Sequence, residues 1–372
     1  MCFTRTKYYQ ALVAVVLLFI LIITFSIKNK NQSYISLIEI EEATNSNPRN
    51  QNQTFGRIFD IDLKYVLNNG DMCEKDSNIL ALFIVTSYFA NTETRSSMRR
   101  IFTREDLKLL NFRRVFLLGE APADKFVNQK EVEDESKMFG DIVQGNFIEA
   151  YRNLTYKHVM GLKWAKDYCS NAKYVIKMDD DIVVNVERVP NLLQSFKLPK
   201  SGNFMAGYIL KNMFPIREPA NKWYVTPEEY DQNTYPLFVS GWFYVTTPNT
   251  SAKLVALSKT TKYFWIDDTY ITGILARKLK IRHFDISQYF AVHAEYLNCC
   301  IQDVRNKHLD CDILVGPNGG NSNLFYDFNL AMNICDLKLC KARTKSINET
   351  CVAERKVYFG RGKAVVENYK LH

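Results

Sequence analysis

The 372-residue chain has no G-x-G-x-x-G turn and no P-loop. The dinucleotide-binding and nucleotide-triphosphatase readings therefore lose the glycine-rich phosphate cradle on which they rest. No lysine and arginine run is interleaved with aromatics, so the formal charge of +8 is read as spread over the surface, with some of it available to a diphosphate. Nucleic acid is not an expected partner. Histidine is scarce, five in all, and no paired Cys-x-x-Cys or histidine spacing supports a structural zinc site. The denser His/Asp ligand set of a two-metal phosphodiesterase is missing as well.

One long apolar run is present, residues 11–27, between Arg5 and Lys7 on one side and Lys28 and Lys30 on the other. Seventeen residues lie at the short end of what spans a bilayer as a helix, and Tyr8 and Tyr9 suit the interface. The polar flank that follows lacks the small residues of a cleavage site, so an uncleaved anchor with a lumenal C-terminal side is expected. Asn31, Asn52, Asn153, Asn249 and Asn348 stand in Asn-x-Ser/Thr triplets without proline, the glycosylation acceptor pattern. Eight of the nine cysteines follow the run, an even count that suggests disulfides in a secretory compartment. Their connectivity is open. These features divide the chain into a cytoplasmic tail (1–10), an anchor (11–27), a stem (28–75) rich in Asn, Gln, Glu and Ser, a catalytic domain (76–298) and a cysteine-containing extension (299–372).

Within the domain, strands alternate with helical stretches: a strand over 79–88, a helix over 95–110, a strand over 114–118, a helix over 152–168, a strand over 174–178 and a helix over 187–196 that includes Pro190. Such alternation predicts an α/β fold with a mostly parallel sheet. Asp179-Asp180-Asp181 follows the third of these strands directly, at the sheet edge where ligands bind. If strand geometry continues, Asp179 and Asp181 point one way and Asp180 the other. Two convergent carboxylates suit a hard cation, Mn²⁺ or Mg²⁺, that takes substrate phosphates as its remaining ligands.

Seven segments, in order between about residues 80 and 295, resemble the β-1,3-glycosyltransferases of glycosyltransferase family 31. They are Thr86-Ser87 followed by Arg95 to Phe102; Phe116-Leu117-Leu118-Gly119; Gly140-Asp141-Ile142-Val143 through Tyr151-Arg152-Asn153-Leu154-Thr155-Tyr156-Lys157; Lys177 to Asp181; Tyr235-Pro236 with Ser240-Gly241 and Tyr244; Asp267-Asp268-Thr269; and Val292-His293. Three positions depart from the family pattern: Ile101-Phe102 stands for Thr-Trp, Asn146 for Asp, and Asp267-Asp268-Thr269 for Glu-Asp-Val. Beyond about residue 298 the resemblance ends.

The resemblance implies a GT-A-like nucleotide-sugar-binding fold and inverting transfer of a hexose from a UDP-sugar to a glycan hydroxyl in β-1,3 linkage. Galactose is the favoured sugar, with N-acetylhexosamine the other choice, on a Golgi-resident single-span protein acting in protein or lipid glycosylation. It places metal ligation on Asp181, Asp179 and His293, with Asp179 also near the ribose and Asp180 supporting. The general base comes from Asp268 or Asp267, and alignment with Glu-Asp-Val favours Asp268. An Asp before a helical stretch is equally a helix cap. Arg95 and Arg99, four apart on one helical face, suit a diphosphate, and Asp141 and Lys157 join them on the donor side. Tyr235, Gly241 and Trp242 are expected on the acceptor side. The rival reading is a catalytically silent membrane protein that binds glycans or a partner on the same fold.

Overall fold

The computed structural model describes residues 62–73, 78–122, 127–199, 202–335 and 340–352. The apolar run at 11–27, and Asn31 and Asn52, lie outside these residues. Among the described residues no helix is long and apolar enough to cross a membrane.

Strand β2 (Ala81–Thr86) reads Ala-Leu-Phe-Ile-Val-Thr and is buried throughout, as befits a strand covered on both faces of an α/β sheet. It lies at the centre of an eight-stranded sheet with β1 (Tyr65–Leu67), β3 (Phe112–Glu120), β4 (Ile142–Ile148), β5 (Tyr174–Asp179), β7 (Phe204–Leu210), β8 (Phe238–Thr246) and β9 (Arg282–Asp285), in the order β1-β4-β3-β2-β5-β8-β7-β9. The central pairs β4-β3, β3-β2 and β2-β5 are parallel, while β8 is antiparallel to both its neighbours. Period-2 alternation sends Phe83, Val85 and Ile176 into one apolar layer and Leu82, Ile84 and Val175 into the other. The α/β architecture expected from the alternation is present, with antiparallel strands added at one side.

The chain proceeds outward from β2 to β3 to β4 and then, through the long helix Leu154–Tyr168, returns to place β5 on the other side of β2. That reversal makes the gap between the ends of β2 and β5 a topological switch point, the place where open α/β sheets bind ligands. Thr86 and Asp179 are register partners there.

Three sequence expectations shift. The 95–110 stretch forms two helices, Thr92–Ile101 and Arg104–Leu109, because Thr103 begins a new capping box with Asp106. The folded part starts before residue 76: β1 pairs with β4, and Cys73 is disulfide-bonded to Cys169. The 299–352 segment is not an appendage. Helices Ala294–Lys307 and Leu324–Ile334 place Leu297, Phe325, Phe328 and Met332 in the same apolar layer as Phe83, and β10 (Val315–Pro317) pairs with β6 (Ile182–Val184). The disulfides Cys299–Cys351, Cys300–Cys311 and Cys335–Cys340 close this region. Pro190 sits in the first turn of the helix Val189–Ser195, where its missing N–H costs nothing.

Candidate active site

A cavity of about 320 Å³ opens at the switch point, lined by Thr86, Lys177 and Asp179 from one side and Gly241, Trp242, Asp267 and Asp268 from the other. β5 ends at Asp179, so alternation governs Asp179 and Asp180 but not Asp181. The Asp179 carboxylate accepts from Lys177 Nζ at 2.6 Å. Asp180 points away and accepts from Ser87 Oγ at 2.7 Å and Asn91 Nδ2 at 3.1 Å. Asp181 lies past the strand, beside Thr94 and Ser97, with its carbonyl accepting from the Asn318 N–H at 2.8 Å. Asp179 and Asp181 therefore border different recesses instead of sharing one strand face. Burial, offset in part by Lys177 and reinforced by Asp181, pushes Asp179 up to about 7, and burial together with Asp181 raises Asp180 to about 6.

Three adjacent buried carboxylates carrying more negative charge than Lys177 offsets fit a hard divalent cation, which prefers oxygen donors and retains water or phosphate ligands. Asp179 and Asp181 would hold it only if their carboxylates, which border different recesses, turned toward a common point. His293 does not complete a preformed set, since Asp179, Asp181 and His293 do not bring ligand atoms within 4.8 Å of one another. It does not end a strand either, but occupies the N-cap position of Ala294–Lys307, half-buried beside Tyr296. The closest group of three potential ligands among the described residues, Cys300, Cys311 and Asp312, spends both thiols in a disulfide.

Across the cavity, Asp268 precedes a π-helix, Thr269–Leu275, a widened turn often found at functional sites. Its Oδ1 accepts from the Thr269 N–H at 2.6 Å and its Oδ2 from the Gly241 N–H at 3.3 Å. Capping and cavity lining thus fall on one residue. Gly241 favours this approach, because a Cβ there would lie a tight 3.0 Å from Asp268 Cβ. Asp267 instead turns inward to His158 Nδ1 at 2.8 Å, and His158 Nε2 meets the Tyr244 hydroxyl at 2.6 Å. The two neighbouring carboxylates are consequently split. Burial alone would raise Asp267, but His158 and Lys177 outweigh it and hold it at about 2. Burial and the adjacent Asp267 charge push Asp268 up to about 6.

The expected donor-side cations lie elsewhere. Arg95 is fully buried. It forms a two-armed ion pair with Glu135, donates to the carbonyls of Tyr88 and Phe89, and reaches Ser87 Oγ. Arg99 is committed to Glu135 and to both oxygens of Asp141, with its guanidinium over Phe139. Lys157 bonds to Glu149 and to the Ser87 carbonyl. The two arginines do share a helical face, but it is the inward one. Arg95 and Lys157 brace the loop that holds Asp180, while Arg99 and Asp141 close a buried ion network; none of the four lines the cavity.

Gly241 and Trp242 line the cavity as expected, whereas Tyr235 packs in an aromatic cluster with Tyr230, Phe238 and Phe264. Trp223, Trp265 and Tyr151 line it too, so three of the four tryptophans in the chain meet at this site. These residues and Lys177 went unremarked in the sequence as site candidates; the strand alternation that put Asp179 on the ligand side also puts Lys177 there. Of the described sequons, Asn249 and Asn348 are exposed. Asn153 is half-buried and donates to the Ile148 carbonyl at 2.8 Å.

A family model described as galactosyltransferase matches residues 93–287, an interval that contains Asp179, Asp267 and Asp268. The chain is 33% identical over 219 residues to beta-1,3-galactosyltransferase 2 of Homo sapiens, covering 59% of this chain and 51% of that relative. It is 33% identical over 265 residues to beta-1,3-galactosyltransferase 1 of Mus musculus, covering 69% and 79% respectively. The match thus spans about half of the first relative and more of the second. The solved structure of the bifunctional glycosyltransferase WbbM overlaps 70% of this chain and 51% of that one at 12% identity and a TM-score of 0.35. By the family-model match and the extent of its kinship with beta-1,3-galactosyltransferase 1, the chain belongs to the galactosyltransferases of glycosyltransferase family 31.

Proposed function

We propose that this protein transfers a hexose, galactose in the first instance or an N-acetylhexosamine, from a UDP-sugar to a glycan hydroxyl in β-1,3 linkage, with inversion and with the help of a divalent cation. The observation that carries this reading is that Asp268 and Asp179 line one cavity, at a switch point suited to a nucleotide. A cation held by Asp179 and Asp181 would supply charge neutralisation for a departing diphosphate. The chain's own residues do the rest. Lys177 holds Asp179 in place, and Trp223, Trp242 and Trp265 offer flat faces to sugar rings. Asp268 takes the proton of the acceptor hydroxyl as its oxygen bonds to the anomeric carbon. The bond from that carbon to UDP breaks with the electron pair leaving on the phosphate oxygen. One displacement of this kind inverts the anomeric centre and needs no covalent enzyme intermediate. A base that titrates near 6 is largely ionised at neutral pH yet remains basic enough to accept the proton.

The four disulfides and the exposed Asn249 and Asn348 support a lumenal domain, N-glycosylated at those positions and held in the Golgi by the 11–27 anchor. The deciding experiment incubates the full chain in detergent with Mn²⁺, a panel of UDP-sugars and p-nitrophenyl glycosides, and identifies the product linkage. A β-1,3-linked galactoside is the expected product. UDP-sugar binding without transfer to any acceptor would favour the silent glycan-binding reading instead.

A further inference from the structure

His158 lies in the middle of the long helix Leu154–Tyr168, with its side chain fully buried. It adds a side-chain link between two elements already joined by Thr272 and Val239. Its Nδ1 is 2.8 Å from Asp267 Oδ2, ahead of the π-helix, and its Nε2 is 2.6 Å from the Tyr244 hydroxyl on β8. An imidazole with two partners of this kind has its tautomer fixed by them. Tyr244 keeps its proton, because burial and the Asp267 charge raise it well above the usual phenol value, and so donates to Nε2. The ring is neutral, since burial lowers its pKa. Nδ1 therefore carries the proton and donates to the Asp267 carboxylate.

We propose that His158 is a positioning residue for the transfer reaction, clamping Asp267 from behind and thereby fixing the Asp267-Asp268 turn so that the Asp268 carboxylate faces the cavity. The inference rests on Asp268 being the base. The Asp268 carboxylate is aimed by the backbone N–H groups of Thr269 and Gly241 and, at 3.4 Å, by the Thr269 hydroxyl. The preceding residue must therefore stay in place for those bonds to keep their direction. The Asp267 carboxylate accepts a side-chain hydrogen bond from His158. With its charge anchored there, Asp267 also remains the fixed negative neighbour that makes Asp268 the more basic of the two. The other titratable groups facing this pair are Lys177 and Asp179 from β5, Tyr151 ahead of the long helix, Tyr244 from β8, and Tyr235 and Tyr263 from the loops on either side.

Two conservative variants separate the two contacts. In His158→Asn the amide nitrogen occupies the place of Nδ1 and keeps the bond to Asp267. In His158→Gln the amide reaches the place of Nε2 and keeps only Tyr244. With the full chain in detergent, UDP-galactose and the best p-nitrophenyl glycoside, H158N is expected to stay within about threefold of the parental kcat. H158Q is expected to lose about tenfold or more in kcat at an unchanged KM for UDP-galactose, a loss within the range of misplaced general-base catalysis. Its acidic limb should also move to higher pH: Asp267 without its donor competes with Asp268 for the first proton, and the pair takes that proton up earlier. Equal rates and unmoved limbs in both variants, at parental melting temperature, would overturn the inference. ¹⁵N-histidine NMR of the parental protein gives a readout independent of turnover. The neutral Nδ1–H form should predominate at pH 7, and an imidazolium signal for His158 at that pH would refute it. Loss of transfer in Asp268→Asn together with parental behaviour in H158Q would sink this inference alone, whereas full transfer by Asp268→Asn would remove the base assignment beneath it.

Discussion

Lys177 Nζ sits 2.6 Å from Asp179 Oδ1 and also donates to the carbonyl of Gly241, the residue whose N–H meets Asp268. One buried ammonium thus ties Asp179 to the strand whose Gly241 N–H meets the Asp268 carboxylate. Burial works against its charge, but Asp179, Asp267 and Asp268 outweigh burial and keep its pKa above the ordinary lysine value. The two halves of the site are consequently joined through a cation that never leaves the protein.

Asp268→Asn should lose about 10² to 10⁴ in transfer rate, the usual range for a removed general base, while still binding UDP with metal. The amide can still cap Thr269, so the melting temperature should hold. In the parent, kcat should fall as pH drops through about 6, where Asp268 gains its proton, and the variant should lack that limb. Asp267→Asn keeps an oxygen for His158 Nδ1–H and should remain within about tenfold. A larger loss at Asp267 than at Asp268 would mean that the base is the other residue.

Removal of metal with a chelator should stop turnover, and Mn²⁺ or Mg²⁺ should restore it. Asp179→Ala and Asp181→Ala should abolish metal-dependent UDP binding, measured by calorimetry. Asp180→Asn should be milder, since an amide oxygen can still accept from Ser87 and Asn91. Equal loss at all three positions would show that the separate environments of the triplet do not matter.

Arg95→Met should act on stability and not on the donor. Glu135 loses its two-armed partner but keeps Arg99, so the cost should be about 1–3 kcal/mol, the range for buried groups left partly unsatisfied, read from the denaturant midpoint at unchanged m value. UDP affinity of the folded protein should change less than about threefold, or about 0.7 kcal/mol by the standard conversion. A stable variant with UDP binding lost would return Arg95 to the donor site.

Cys73→Ala with Cys169→Ala opens a link between residues 96 apart and should cost about 2–5 kcal/mol. Transfer at low temperature should survive, because neither cysteine lines the cavity. The check is a melting-temperature drop with parental kcat at 15 °C.

The sequence by itself determined the α/β alternation, because a strand buried on both faces reads as a near-continuous apolar run such as 81–86 and a helix does not. It also pointed to the sheet edge at which the cavity opens, since Asp179 follows its strand directly, and the even cysteine count was visible as disulfides without their pairing. Only the tertiary structure decided the fate of the charged residues. Helical spacing shows that Arg95 and Arg99 share a face but not which way that face is turned; Glu135 and Asp141, some forty positions away, draw it inward. Likewise nothing near Asp267 in sequence tells it from Asp268. The distinction comes from His158, 109 residues earlier, which binds one of two cavity-lining carboxylates and leaves the other to the backbone N–H groups of Thr269 and Gly241. Local pattern follows from the period of the backbone, but a charge takes its role from whatever the fold packs against it.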